Sequence, residues 1–322
     1  MATATKASRK RKTEGPTPEE KLVAGLIELL EAGVNPWQRD WRGTSLGQHR
    51  NLISSEPYHG GNPALLEMQL AMRGSELPLW AGHGQAKSKD WYPRKGSRGC
   101  YIVRPQLNRY EELDEGGKPV LNEQGEAQLR QWTSFKPVCV FNAADLEGEG
   151  LAEAIAAAIG TPEQRQEPEI LQQAEAVLGA WCVPVTYGGN SAFYSPMADR
   201  ITLPPRHQFL SGPGFYATWA HEAVHSTGHG DRLARDGIVH FAGRASESYA
   251  KEELIAELGA FLLGVRLEIG SAVENHAAYL GSWIAALKAQ PKTLLQSLSA
   301  ATKAANLIHP ETITPAPAGE DQ

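Results

Sequence analysis

The segment Tyr216-Ala-Thr-Trp-Ala-His221-Glu222-Ala-Val-His225-Ser-Thr-Gly228-His229 constrains this chain more than any other. Its pattern, H-E-x-x-H, has a chemical use only on a helix, where positions i and i+4 share a face about 6 Å apart and two imidazoles can aim at one point. Gly228 supplies a residue able to end such a helix. The chain has ten histidines, and chance would yield the pattern about 0.03 times in a sequence of this length and composition. Coincidence is therefore a poor account of it. Two imidazoles so placed suit a divalent cation, with His221 and His225 as candidate ligands. Glu222, the next residue, is then placed to take the proton of a water that the cation polarises, and to pass it to a leaving amine.

A third ligand must come from elsewhere in the chain. The spacing H-E-x-x-H-x-x-G-x-x-H would put it at position 231, here Asp231, while His229 is out of phase by two. The other geometry takes a glutamate from a later helix, and Ala250-Lys-Glu-Glu253-Leu-Ile-Ala-Glu257-Leu-Gly-Ala-Phe reads as that helix. Glu253 and Glu257 lie four residues apart among Leu254, Ile255, Leu258, Phe261 and Leu262, where two unpaired carboxylates would be costly to bury. Ligation removes that cost. Glu253 is expected as the ligand and Glu257 as the acceptor that orients a histidine N–H, with the two roles open to exchange. A His/His/carboxylate set leaves the cation open between Zn2+ and Mn2+.

Charge marks out a second region. Residues 1–150 carry 20 Lys+Arg against 19 Asp+Glu, and residues 151–322 carry 11 against 18. Within residues 35–110 the balance is 11 basic to 5 acidic, and the same window holds Trp37, Trp41, Trp80 and Trp91. Cations for phosphates together with flat rings for unpaired bases are what a single-stranded nucleic-acid groove requires. The candidate contacts are Trp37, Trp41, Tyr58, Asn62, Trp80, Lys87, Lys89, Trp91, Arg94, Lys95 and Arg98. No base-reading motif accompanies them, which predicts binding with little sequence preference and a steep salt dependence.

The 322 residues correspond to about two domains. Residues 1–17 read as a disordered basic arm, 18–147 as a mixed α+β nucleic-acid-binding domain, 148–167 as a linker around an Ala-rich helix, 168–309 as a second, mostly helical domain, and 310–322 as a disordered tail. Thr17, Pro18, Glu19 and Glu20 predict the start of a helix that Gly33 ends, and Asn62-Pro63 opens another. Short strands are expected at 100–104, 136–141, 192–195 and 200–203, with 111–126 as a long exposed loop. The strand Arg200–Leu203 offers a sheet edge for an extended peptide, or an ordinary core strand. No apolar run reaches the length of a membrane span, no signal peptide is evident, and Cys100, Cys139 and Cys182 form neither C-x-x-C pairs nor a disulfide framework. A cytoplasmic protein with no membrane role is expected. A zinc deaminase is excluded, because its P-C-x-x-C motif is missing.

Several stretches together resemble the ArdC-type antirestriction proteins of plasmids and phages: Ser191-Ala-Phe-Tyr194-Ser-Pro-Met-Ala-Asp199-Arg-Ile201-Thr-Leu-Pro204, His221 to Arg232, and Tyr249 to Glu257. In the first half, Asn35-Pro36-Trp37 with Trp41, Tyr58-His-Gly-Gly-Asn62, Trp80 to Gln85, Arg94-Lys95-Gly96 and Phe141-Asn142 resemble that family's N-terminal domain. The resemblance, which runs from about residue 18 to 306, implies a domain that holds single-stranded DNA followed by a zincin-like metallopeptidase domain. It implies ligands at His221, His225 and Glu253, and a catalytic role for Glu222. It further implies protection of DNA entering a recipient cell from host restriction, by coating the strand or by acting on a restriction enzyme or other host protein. The chain departs from the pattern at Pro63 and over 111–126. The competing expectation is a DNA-binding module whose zincin domain holds a metal as a structural staple, without peptidase activity.

Overall fold

In the computed structural model, residues 16–37, 48–112, 119–120, 127–159, 167–243, 246–270 and 280–311 are described. Residues 1–15 of the expected basic arm, Trp41, most of the 111–126 segment and nearly all of the tail lie outside them. Helix α1 (Pro18–Glu31) starts with a reciprocal cap: Thr17 Oγ1 accepts the Glu20 N–H at 3.2 Å, and Glu20 Oε2 accepts the Thr17 N–H at 2.7 Å. Its Leu22, Val23, Leu26 and Leu30 form the buried stripe.

A four-stranded sheet follows, ordered β1 (Arg50–Asn51), β2 (Leu79–Gly82), β5 (Leu129–Asn142) and β4 (Cys100–Glu111). β4 and β5 pair from Cys100↔Val140 out to Glu111↔Leu129, a ladder well beyond the short strands the sequence predicts. Arg104, Pro105 and Gln106 are exposed, so no apolar alternation announces this extension; backbone pairing carries it. β4 is an edge strand, and helix α2 (Asn62–Ala71) covers its edge with side-chain amides. Asn62 exchanges two hydrogen bonds with the Val103 backbone at 2.8 and 3.0 Å, and Gln69 does the same for Tyr101 at 2.7 and 2.9 Å. Helix α3 (His83–Lys87) and the small β3 (Tyr92–Pro93) and β6 (Leu146–Glu147) ladder complete this part. Helix α4 (Leu151–Ile159), inside the stretch read as a linker, packs Leu151, Ala154 and Ile155 against Leu52, Leu79, Trp91 and Leu146.

The second half runs α5 (Glu167–Gly179), β7 (Val185–Tyr187), β8 (Phe193–Ser195), β9 (Arg200–Leu203), α6 (Gly212–Ser226), α7 (Asp236–Val239), α8 (Glu247–Leu267), α9 (Leu280–Ala289) and α10 (Thr293–Ile308). β9 is the central strand of a three-stranded sheet, parallel to β7 and antiparallel to β8. The expectation that Arg200–Leu203 forms a peptide-accepting edge is thereby corrected, since both its edges are already paired. α6 and α8 approach at backbone distance: a Cβ on Gly259 would lie 2.8 Å from Val224 Cγ1. α8 is buried on every side from Glu252 to Gly264. The main apolar core joins both halves, uniting Leu22, Val23, Leu26 and Leu30 of α1 with Leu258, Trp283 and Leu287.

Candidate metal centre and nucleic-acid surface

Helix α6, capped by Ser211 through the Gly214 N–H, carries His221, Glu222 and His225 on buried turns, and α8 lies across it with Glu252, Glu253 and Glu257. His221 Nε2 and His225 Nε2 face each other at 3.1 Å. Glu253 approaches both, with Oε2 3.6 Å from His221 Nε2 and Oε1 3.6 Å from His225 Nε2. Ligand atoms around a tetrahedral Zn2+ lie about 3.3 Å apart, given metal–ligand bonds of about 2.0–2.2 Å. The three side chains therefore fit a small divalent cation, and one ligand atom from each lies within 4.8 Å of the others.

The charge balance agrees with the geometry. Glu222, Glu252, Glu253 and Glu257 are all buried, against the guanidinium of Arg235. Burial alone would pull the His221 imidazole down, but the surrounding carboxylates, Glu253 first, outweigh it and push the group up to about 9. Burial likewise works to raise Glu253, yet its contacts with His221 and His225 hold it at about 2. The pocket thus favours positive charge at the point where the three ligand atoms meet. Glu222, 7% exposed, adds its negative charge to those acting on His221.

Each sequence-derived metal residue now has a place. His221, His225 and Glu253 come together. Glu257 sits beside them, its Oε2 4.0 Å from His221 Nδ1, beyond hydrogen-bond reach. Asp231 lies outside the set; its carboxylate is 90% exposed and pairs at 3.5 Å with His229 on the turn after α6. The alternative ligand expected from spacing is thereby corrected, because α6 ends at Ser226 and the following turn points position 231 to solvent.

The carboxylate at hydrogen-bond distance from an imidazole of the candidate set belongs to a residue the sequence reading passed over. Glu252 Oε1 lies 3.2 Å from His225 Nδ1, and Arg235 grips the same carboxylate with Nε at 2.8 Å and Nη2 at 2.6 Å. Arg235 also donates to Thr227 Oγ1 and the Val224 carbonyl, fastening the end of α6 to α8. A second tie secures the same helix end. Arg232 Nε donates to the Ser226 carbonyl at 2.7 Å while its other nitrogens hold Asp199, on the β8–β9 turn, which also accepts the Tyr194 hydroxyl at 2.7 Å. The Arg232 guanidinium keeps the Asp199 carboxyl below its ordinary range.

Of the tryptophans expected to stack on bases, the three that are described are core residues. Trp37, Trp80 and Trp91 are 1%, 0% and 6% exposed. Their indole N–H groups are satisfied internally, by the Ala64 carbonyl, His49 Nδ1 and the Glu149 carbonyl, as large amphipathic rings in a core require. Asn62 is corrected as well, since its amide is engaged by the Val103 backbone. Tyr58 packs beside Leu66 and Trp80, and burial pushes its phenol up to about 12. Lys87, Lys89, Arg94, Lys95 and Arg98 are all exposed, and Tyr92, 46% exposed, supplies the aromatic among them.

This fold and site define a zincin-like protein joined to an N-terminal α+β module. Residues 172–302 match the family of zincin-like metallopeptidases, and residues 17–141 match the N-terminal domain of anti-restriction factor ArdC. The metal-free crystal structure of the antirestriction ArdC protein from plasmid R388 is 31% identical, covers 90% of this chain and 96% of its own, and superposes with a TM-score of 0.64. Its Mn(II)-bound structure is 30% identical with a TM-score of 0.59 over the same coverage. An Escherichia coli DNA primase TraC is 34% identical over 304 residues, 92% of this chain, which spans 20% of the length of that relative. The chain belongs to the ArdC-type antirestriction family. Among the described residues, no helix is long and apolar enough to cross a membrane.

Proposed function

We propose that this chain binds single-stranded DNA through its N-terminal half and hydrolyses a protein target through its C-terminal half, protecting incoming plasmid or phage DNA from host restriction. The observation that carries this reading is the meeting of His221, His225 and Glu253 within 4.8 Å in a buried, acid-rich pocket. A Zn2+ or Mn2+ ion held there supplies polarisation of a carbonyl and of a water. Glu222 takes the water's proton and delivers it to the departing amine. Glu252, braced by Arg235, keeps the His225 ring in the orientation that aims Nε2 at the ligand point.

The test is Glu222→Gln, which keeps shape and metal ligands but removes the base. Cleavage of a restriction endonuclease or an unfolded protein is expected to fall by about 10²–10⁴-fold at unchanged metal content, read by gel assay and metal analysis. Unchanged protection from restriction in the variant would point to a cation that serves only as a staple.

The DNA half rests on the exposed cations Lys87, Lys89, Arg94, Lys95 and Arg98 flanking Tyr92. Fluorescence anisotropy with a labelled single-stranded oligonucleotide, competed by duplex at two salt concentrations, is expected to show salt-sensitive preference for the single strand. Replacing Lys87, Lys89, Arg94 and Lys95 with serine is expected to flatten the log–log salt slope by about 0.7 per phosphate contact removed. An unchanged slope would place the DNA elsewhere.

A further inference from the structure

Asn35 is remote from the metal centre in sequence, yet its side chain reaches the centre's wall. After α1, Gly33 turns the chain at φ 75°, and Asn35 then uses its two side-chain atoms in opposite directions. Oδ1 accepts the Trp37 backbone N–H at 3.1 Å, and Nδ2 donates to Glu257 Oε1 at 2.8 Å across 222 residues of sequence. Chemistry fixes this orientation of the amide. A backbone N–H can only donate, so it must face the oxygen, which leaves the NH2 for the carboxylate. The turn itself is anchored, because the Trp37 ring is 1% exposed and its indole donates to the Ala64 carbonyl of α2 at 3.1 Å.

Glu257 is 1% exposed and stands one helical turn beyond Glu253, with Oε2 4.0 Å from His221 Nδ1. A carboxylate so deeply buried needs a donor that holds it in one rotamer without cancelling its charge. An amide does this, whereas a lysine or arginine would spend the negative charge that favours a cation at the neighbouring imidazole. We propose that Asn35 is a positioning residue of the metal centre: it holds Glu257 beside His221 and makes cation binding depend on the N-terminal half of the chain. The proposal rests on the reading of His221, His225 and Glu253 as the cation site.

The discriminating variant is Asn35→Asp. It keeps an oxygen for the Trp37 N–H, so the turn survives, but sets a carboxylate against Glu257. Zn2+ affinity by competition with a chromophoric chelator is expected to fall about tenfold, with a shift in the visible absorption of the Co2+-loaded protein. In a Glu257→Gln background, where the new amide can donate to the introduced carboxylate, the same substitution is expected to cost under about threefold. An equal penalty in both backgrounds, or parental affinity and spectrum in the single variant, would overturn the proposal. Should Asn35→Asp not fold by circular dichroism, Asn35→Ala in the same two backgrounds applies the same comparison. If the parent takes up neither Zn2+ nor Co2+, the metal-centre reading falls and this proposal with it. If the parent binds, His221→Ala does not, and Asn35→Asp matches the parent, only the role of Asn35 is refuted.

Discussion

Arg235→Ala is expected to cost the fold about 3–5 kcal/mol, measured as the free energy of urea unfolding without metal. The side chain is 9% exposed and its partner Glu252 only 1%, so truncation leaves a carboxylate that water cannot reach with the His225 imidazole in place of a guanidinium. It also strips donors from Thr227 Oγ1 and the Val224 carbonyl at the end of α6. Replacing Arg235 and Glu252 together with methionine is expected to cost much less, because the buried carboxylate goes with its guanidinium. A single-variant loss below about 1 kcal/mol would show that the His225 imidazole, or water, is enough to satisfy Glu252.

Glu253→Ala is expected to abolish the metal dependence of stability. A cation at one hundred times its dissociation constant stabilises the folded state by about 2.7 kcal/mol, so the parent's melting temperature should climb with added Zn2+ or Mn2+. Alanine at 253 removes one of three ligands, and the loss of affinity should exceed the about 10–100-fold typical of losing an orienting neighbour. The melting temperature should then stay flat across the parent's titration range. Glu257→Gln supplies the contrast, since it keeps the ligand triad and should retain a weakened metal response. A Glu253→Ala protein that still responds as the parent does would transfer the ligand role to Glu257.

The parts of this site that were legible in the sequence are those written at helical spacing. His221 and His225 at i and i+4, and Glu253 and Glu257 at the same separation, report one face each, and the face is what a helix preserves. The Thr17 cap and the bounds of β9 were readable for the same local reason. Glu252 was hidden beside Glu253, and nothing local tells which of two adjacent carboxylates meets Arg235. Its signal was Arg235 itself, a cation seven residues beyond Gly228 with a buried acidic helix to follow. The tryptophans misled because a ring in a basic, Gly-rich window has the same local context whether it faces a core or a base. Burial of Trp37, Trp80 and Trp91 is decided by α2 and the sheet, not by neighbours in the chain. The contact of Asn35 with Glu257 leaves no periodic trace at all.

The placement of α1 against α9 has a consequence in time. Its apolar stripe docks on Trp283 and Leu287, and Glu31 pairs with Lys288 at a separation of 257 residues. At about 5–20 residues per second, a ribosome needs on the order of ten seconds or more to deliver α9 after α1 has emerged. For that interval Leu22, Val23, Leu26 and Leu30 lack the α9 part of their native surface, and only early-made residues such as Leu65, Met68 and Met72 of the same cluster are present to cover them. Asn35 reaches Glu257 only after α8 has been made. The candidate metal centre is therefore complete only once α8 has been made, and a chain released before that carries the two histidines without the carboxylates that would make them a site.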